Sequence, residues 1–253
     1  MRNSKKSASD KSVENLVTIE KTTNNKKEKK VKFGFYLKKL ESQIILKDSQ
    51  KEYSRKIREN TITFATGPAG VSKTFSACYT LLKLLFENKI EKIIFTKPIK
   101  ESGENLGFLP GGVDEKLGPY VESFIFNCKE MLGEEIINYL LEQKYIECRP
   151  LAYMRGISFN NCGMFLDEAQ NTLYSQLALY ITRLGNNSKM VIAGDITQRD
   201  ILQKDVSIME FINILKGIDG IAFHEFKKED IIRNKILIEI TDRYEKWKES
   251  KGL

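Results

Sequence analysis

Lys73 and Thr74 close an eight-residue run, Gly67-Pro68-Ala69-Gly70-Val71-Ser72-Lys73-Thr74, that joins an apolar stretch to an amphipathic one beginning at Phe75. Glycines at a turn between strand and helix let backbone N–H groups converge on an anion, and the positive end of the following helix adds to the attraction. A lysine there reaches the β and γ phosphates of a nucleoside triphosphate such as ATP, and the neighbouring hydroxyl suits Mg²⁺. The spacing therefore reads as a phosphate-binding loop, with Gly67 to Phe75 as the nucleotide-binding residues. One position departs from G-x-x-x-x-G-K-[ST]: Ser72 stands where the pattern has glycine, and its Cβ is expected to crowd the phosphates.

A second apolar stretch, CGMFL, ends in Asp167 and Glu168. In that order the first carboxylate is placed to hold Mg²⁺ and the second to polarise an attacking water. An Asp after a strand also suits a helix N-cap, and the two readings are compatible. A third stretch, KMVIAGD, is followed three residues after Asp195 by Gln198, whose amide could touch the γ-phosphate or the water and report hydrolysis.

Such groups need a rigid edge to hold them. Short runs rich in Ile, Val and Phe alternate with helical patterns, which points to an α/β fold, a mostly parallel central sheet flanked by helices. The strand candidates are 61–66, 92–96, 146–151, 163–166, 189–193 and 221–226, and helical spacing covers 73–87, 119–131, 134–143, 175–184, 206–216 and 235–248. The Gly- and Pro-rich segment from Pro98 to Tyr120 reads as a long functional loop.

Residues 1–32 are rich in Lys, Asn, Ser and Thr and poor in apolar groups, so they are expected to form a disordered basic arm ahead of one ATPase-sized domain at 33–253. The positive start of the chain lacks a following apolar segment, which argues against a secretory signal and makes the cytoplasm the default location. No stretch is apolar for long enough to span a bilayer, so no membrane role is expected. Four scattered cysteines without a CxxC pair, and one histidine, exclude a recognisable zinc site. A formal charge of +7 suits an anionic partner such as nucleic acid, and equally a surface kept soluble by lysines.

Taken together, GPAGVSKT, ESGENLGFLPGGVDEKLGPY, PLAYMRG, FLDEAQN, ITRLGNNSKMVIAGDITQ and LKGIDGIAFHEFKKEDIIRN resemble the PhoH family of ATPases, from about Gln50 to about Arg233. The resemblance implies a P-loop NTPase fold with a single RecA-like motor domain of the superfamily 1 helicase kind. It further implies assembly as a homo-oligomeric ring such as a hexamer, and work on single-stranded RNA or DNA, in a host's cytoplasm if the chain is viral. By position it implies Lys73, Glu168 and Gln198 as catalytic groups, Thr74 and Asp167 as Mg²⁺ ligands, and Gln50 as the reader of the adenine edge. A lone motor domain needs an arginine from a neighbouring copy, and Arg233 is the first candidate, with Arg183 second. Against the family pattern, Ser72 replaces Gly, Lys97 replaces Arg and Asn234 replaces His. Lys97, Lys100 and Arg155, with Phe108 and Tyr153 as stacking platforms, are the expected nucleic-acid contacts. The alternative function is a nucleotide-gated assembly module with slow or no turnover, for which Ser72 is the main argument.

Overall fold

The computed structural model describes residues 27–98, 113–195, 208–232 and 235–251. Six strands form one sheet: β1 (Ile62–Thr66), β2 (Lys92–Thr96), β3 (Ile146–Cys148), β4 (Cys162–Leu166), β5 (Lys189–Gly194) and β6 (Ile221–Glu225). Their order is β3-β2-β4-β5-β1-β6, and every neighbouring pair is parallel. The central strands are buried except at Thr66 and Lys189, as strands covered by helices on both faces must be.

The helices are α1 (27–43), α2 (Asp48–Glu59), α3 (Lys73–Phe86), α4 (Val113–Leu132), α5 (Glu134–Glu142), α6 (Tyr174–Ile181), α7 (Ile208–Leu215) and α8 (Lys235–Lys251). Two apolar layers result. Leu81, Leu85, Phe95, Phe124, Phe165 and Val191 pack on one face of the sheet. Phe64, Ile94, Met164, Tyr180, Ile192 and Phe211 pack on the other.

Three sequence expectations change. Residues 27–32, assigned to the unstructured arm, are the first turns of α1; the rest of that arm lies outside the described residues. Lysine is a good helix former, and α1 buries Phe33 and Leu40 while Lys29 lies 4.9 Å from the Phe33 ring centroid and 4.7 Å from that of Tyr145. The Phe33 ring meets Phe86 at 5.3 Å and Tyr145 at 5.2 Å, so α1 is a structural cover on the core. The loop from Pro98 ends earlier than expected, because Val113 to Tyr120 already belong to α4 despite Gly118 and Pro119. The third strand stops at Cys148 rather than at residue 151: Pro150 has no N–H for a ladder, and a short 3₁₀ turn, Leu151–Met154, follows.

The four thiols are free, and all but Cys148 are buried. Among the described residues no helix is long and apolar enough to cross a membrane.

Candidate functional site

The phosphate-loop residues and the acid pair collect at the carboxyl edge of the sheet. β1 delivers the loop at Gly67, and α3 begins at Lys73. Gly67 has φ +144°, and a Cβ there would lie 2.7 Å from both the Cβ and the carbonyl oxygen of Phe226, so only glycine lets the end of β6 close on the loop. On the loop's other side, Ile232 N–H donates to Gly70 O at 3.1 Å.

The loop faces a cleft of about 360 Å³ bordered by Lys73, Thr74, Asp167, Glu168, Gly194 and Asp195. Lys73 Nζ donates to the carbonyls of Gly67 (2.6 Å) and Pro68 (2.9 Å), which holds the ammonium over its own loop. Thr74 Oγ1 donates to Asp167 Oδ2 at 2.8 Å, tying α3 to the end of β4. Asp167 is buried, and its backbone N–H continues the sheet ladder to Thr96 O at 3.1 Å. Burial, reinforced by the neighbouring Glu168 carboxylate, pushes the Asp167 carboxyl above its usual range; the Thr74 hydroxyl and the Lys97 ammonium pull the other way. Lys97, at the end of β2, thus acts on the acid in the cleft.

Six non-glycine residues among those described have positive φ. Asn88, Asn161 and Asn187 are a type that tolerates that region. Ser72 (φ 65°), Lys144 (φ 56°) and Glu168 (φ 54°) are not, and of these Ser72 and Glu168 border the cleft, where unfavourable backbone is commonly retained for function. The doubt raised over Ser72 therefore acquires a second cause, its left-handed backbone. That conformation costs about 1–2 kcal/mol, more than the roughly 0.5–1 kcal/mol of extra chain entropy that a glycine loses. Ser72→Gly is expected to raise the melting temperature by about 2 °C, read by differential scanning calorimetry; a lowered melting temperature refutes the strain argument.

Several sequence candidates lie elsewhere. Gln50 is buried and starts α2: its Oε1 accepts from Lys47 N–H at 2.8 Å, and it is not part of the cleft wall. Arg183 sits between α6 and β5, with its backbone carbonyl accepting from Phe159 N–H at 3.0 Å, at the amino edge of the sheet. Gln198, Arg233, Lys100 and Phe108 fall outside the described residues. Tyr153 is 63% exposed in the turn after β3, beside exposed Arg155.

The structure also shows wall residues that sequence reading did not single out: Asn127 on α4 and Ile232 both border the cleft. Asn127 Nδ2 donates to Ser123 O at 2.6 Å, so its carbonyl end is the one turned from its own helix backbone. Asn127 sits in none of the quoted strings, and Ile232 is an apolar residue of EDIIRN beside the arginine that was singled out there.

His224 has a structural setting. Ser49 Oγ donates to Asp230 Oδ2 at 3.0 Å, which spends its only proton, so the 3.3 Å contact with His224 Nε2 requires the ring to donate. Burial, with Lys56 adding to it, lowers this imidazole to about 4, and the ring stacks on Tyr53 at 5.3 Å. It is a neutral link between α2 and β6.

Loop strand β1 and acid strand β4 are separated by β5, and all three end at one cleft: this is a P-loop NTPase fold of the RecA-like kind. Residues 44–245 match the family model described as PhoH-like protein. A PhoH-like protein of Bacillus subtilis is 39% identical over 200 residues, covering 78% of this chain and 62% of the relative. One from Mycobacterium bovis is 40% identical over 202 residues, covering 79% and 57%, and the protein PhoH of Escherichia coli K12 is 34% identical over 190 residues, covering 74% and 54%. The aligned region thus spans little more than half of these relatives. Among solved structures, the Pif1 helicase of Candida albicans aligns with a TM-score of 0.40 and 16% identity, covering 73% of this chain and 40% of that one. With the family model covering all six strands of the sheet and the Bacillus and Mycobacterium relatives aligning over more than three quarters of the sequence, the chain belongs to the PhoH-like protein family.

Proposed function

We propose that this chain hydrolyses ATP with Mg²⁺ and couples the nucleotide cycle to a single-stranded nucleic acid. The observation that carries the reading is the 2.8 Å contact between Thr74 Oγ1 and Asp167 Oδ2, flanked by Lys73 and Glu168. Two oxygens on adjacent corners of a Mg²⁺ octahedron lie roughly 2.9 Å apart, so these donors fit that ion, which favours oxygen, one or two carboxylates, and waters. Mg²⁺ there would neutralise charge building on the β and γ phosphates. The chain's own residues do the rest. Backbone N–H groups of the loop and the start of α3 hold the phosphates, and the Lys73 ammonium exchanges loop carbonyls for phosphate oxygens. Glu168, at the lip of the cleft, orients the attacking water and takes its proton. Gln198 reads the γ-phosphate, Gln50 reads the base, and Arg233 of a neighbouring copy in a homo-oligomeric ring neutralises transition-state charge.

The nucleic-acid part is supported by the formal charge of +7 and by Tyr153 and Arg155 exposed after β3, at the same edge of the sheet as the cleft. One observation favours the alternative, a nucleotide-gated assembly module: the left-handed Ser72 inside the loop. Phosphate release from Mg·ATP, with and without single-stranded RNA and DNA and with Lys73→Ala as control, separates the two. Turnover that Lys73→Ala abolishes and a polynucleotide raises supports the motor; ATP binding with no turnover supports the module.

A further inference from the structure

We propose that Gln170 is a positioning residue that aims the Glu168 carboxylate at the cleft and couples it to the end of β5, an inference that rests on Glu168 being the water-orienting group. Gln170 lies in the short 3₁₀ turn Ala169–Asn171 just after β4, and it is buried. Its Nε2 donates to Glu168 Oε2 at 2.6 Å. Its Oε1 accepts from Asp195 N–H, the residue following β5, at 2.9 Å. The direction of the amide is settled by its partners: a backbone N–H only donates, and an ionised carboxylate only accepts.

That bridge requires one group that donates at one end and accepts at the other. Glutamate would accept at both ends and confront Glu168, lysine and arginine only donate, and asparagine is one methylene too short. A second observation is independent of the first. Gly194, at the end of β5, is bare where the amide passes: a Cβ would lie 2.9 Å from Gln170 Oε1 and 3.1 Å from its backbone nitrogen. Gly194, Asp195 and Glu168 all border the cleft, so the bridge runs directly behind the wall that faces the phosphates.

Glu168 needs such a hold. Its backbone is left-handed, so the carboxylate leaves the chain from an unfavourable conformation that its surroundings must maintain. Gln170 supplies a charge-assisted hydrogen bond to it from a buried, fixed donor. The other end of the same amide lies on the first residue of the segment leading to Gln198, so a shift at the end of β5 moves the amide and with it the base.

The test uses the full chain and four variants: Gln170→Ala, Gln170→Glu, Gly194→Ala, and Gln170→Ala combined with Gly194→Ala. For each, kcat, KM for Mg·ATP, Kd for a non-hydrolysable ATP analogue, and melting temperature are measured. A base displaced by about 1 Å loses on the order of 10²-fold in rate. We expect kcat to fall by about 10- to 100-fold in Gln170→Ala and Gln170→Glu, with KM and Kd within about two-fold. Gly194→Ala, whose Cβ would meet both the Gln170 amide and the backbone of the same turn, is expected to lower kcat similarly, and the double variant is expected to lose less than the two single losses together, because they share one amide. A merely structural role lowers the melting temperature and leaves the kcat of the saturated protein intact; that pattern, or additive losses in the double variant, overturns the proposal. Glu168→Gln separates the levels. If it abolishes turnover while Gln170→Ala and Gln170→Glu retain it, the positioning role falls alone; if Glu168→Gln retains turnover, or the unaltered chain has none, the reading beneath it falls.

Discussion

Glu168→Gln is expected to bind Mg·ATP as the unaltered protein does and to release phosphate about 10²–10⁴-fold more slowly, the range lost with a general base. The amide has the size of the carboxylate and can still accept the hydrogen bond from Gln170 Nε2, so the turn after β4 keeps its geometry. What disappears is an acceptor basic enough to take the proton of water as it attacks. The loop, Lys73 and the Thr74–Asp167 contact do not involve residue 168, so phosphate binding is retained. Equilibrium binding of a fluorescent ATP analogue beside single-turnover phosphate release measures both quantities. Turnover within about three-fold of the unaltered protein, far inside the general-base range, removes Glu168 from the mechanism.

Asp167→Asn separates stability from activity in the opposite sense. The carboxyl is buried and its proton is held more tightly in the fold than in the unfolded chain, chiefly through desolvation and then through Glu168. The native state therefore binds more protons than the unfolded state. Stability from this group is complete below the unfolded carboxylate value of about 4 and is lost as pH rises through the raised folded value. At neutral pH the ionised Asp167 is a cost, and an asparagine, whose oxygen accepts from Glu168 N–H while its NH2 donates to the Thr74 hydroxyl, removes it. We expect Asp167→Asn to be more stable at pH 7 by about 1 kcal/mol, a gain typical of relieving a functional site, and the advantage to shrink as pH falls toward 4. Turnover in Mg²⁺ should drop by about 10²–10³-fold, equivalent to several kcal/mol of lost metal-assisted stabilisation. Thermal melts from pH 4 to 8, beside phosphate release, provide the check. A variant less stable at every pH shows that the Asp167 charge is fully compensated in the fold.

The elements that carry the cleft were legible because their signals are local. Apolar runs such as TITFAT and CGMFL announce buried strands, and each ends at the residues whose chemistry matters. α1 was not legible, since its lysines resemble a solvated arm and only the packing of Phe33 on Phe86 and Tyr145 shows why they are ordered. The work of Gln170 was hidden for a different reason. Its motif neighbour Glu168 is two residues away, whereas Asp195 is 25 residues on and meets it only once β4 and β5 are paired. Ser72 was flagged by type, but the backbone angle that makes it costly belongs to the folded loop. Gln50, proposed to read the base, also caps the start of α2 through its Oε1, a second task the sequence did not announce.

The strand order also fixes when the phosphate loop can form as the polypeptide leaves the ribosome. β1, which carries the loop, is made first of the six strands, yet its two neighbours are β5 and β6, the last two. Thr66 pairs with Gly194 on one side and Glu225 on the other, and the Phe226 backbone closes over Gly67. A nascent chain that has emerged only through β4 therefore holds the complete loop sequence with neither flanking strand. Such distant pairings are slow, because loop closure must precede the contacts that reward it. A phosphate loop fit to capture a nucleotide is thus expected only once both β5 and β6 have been made.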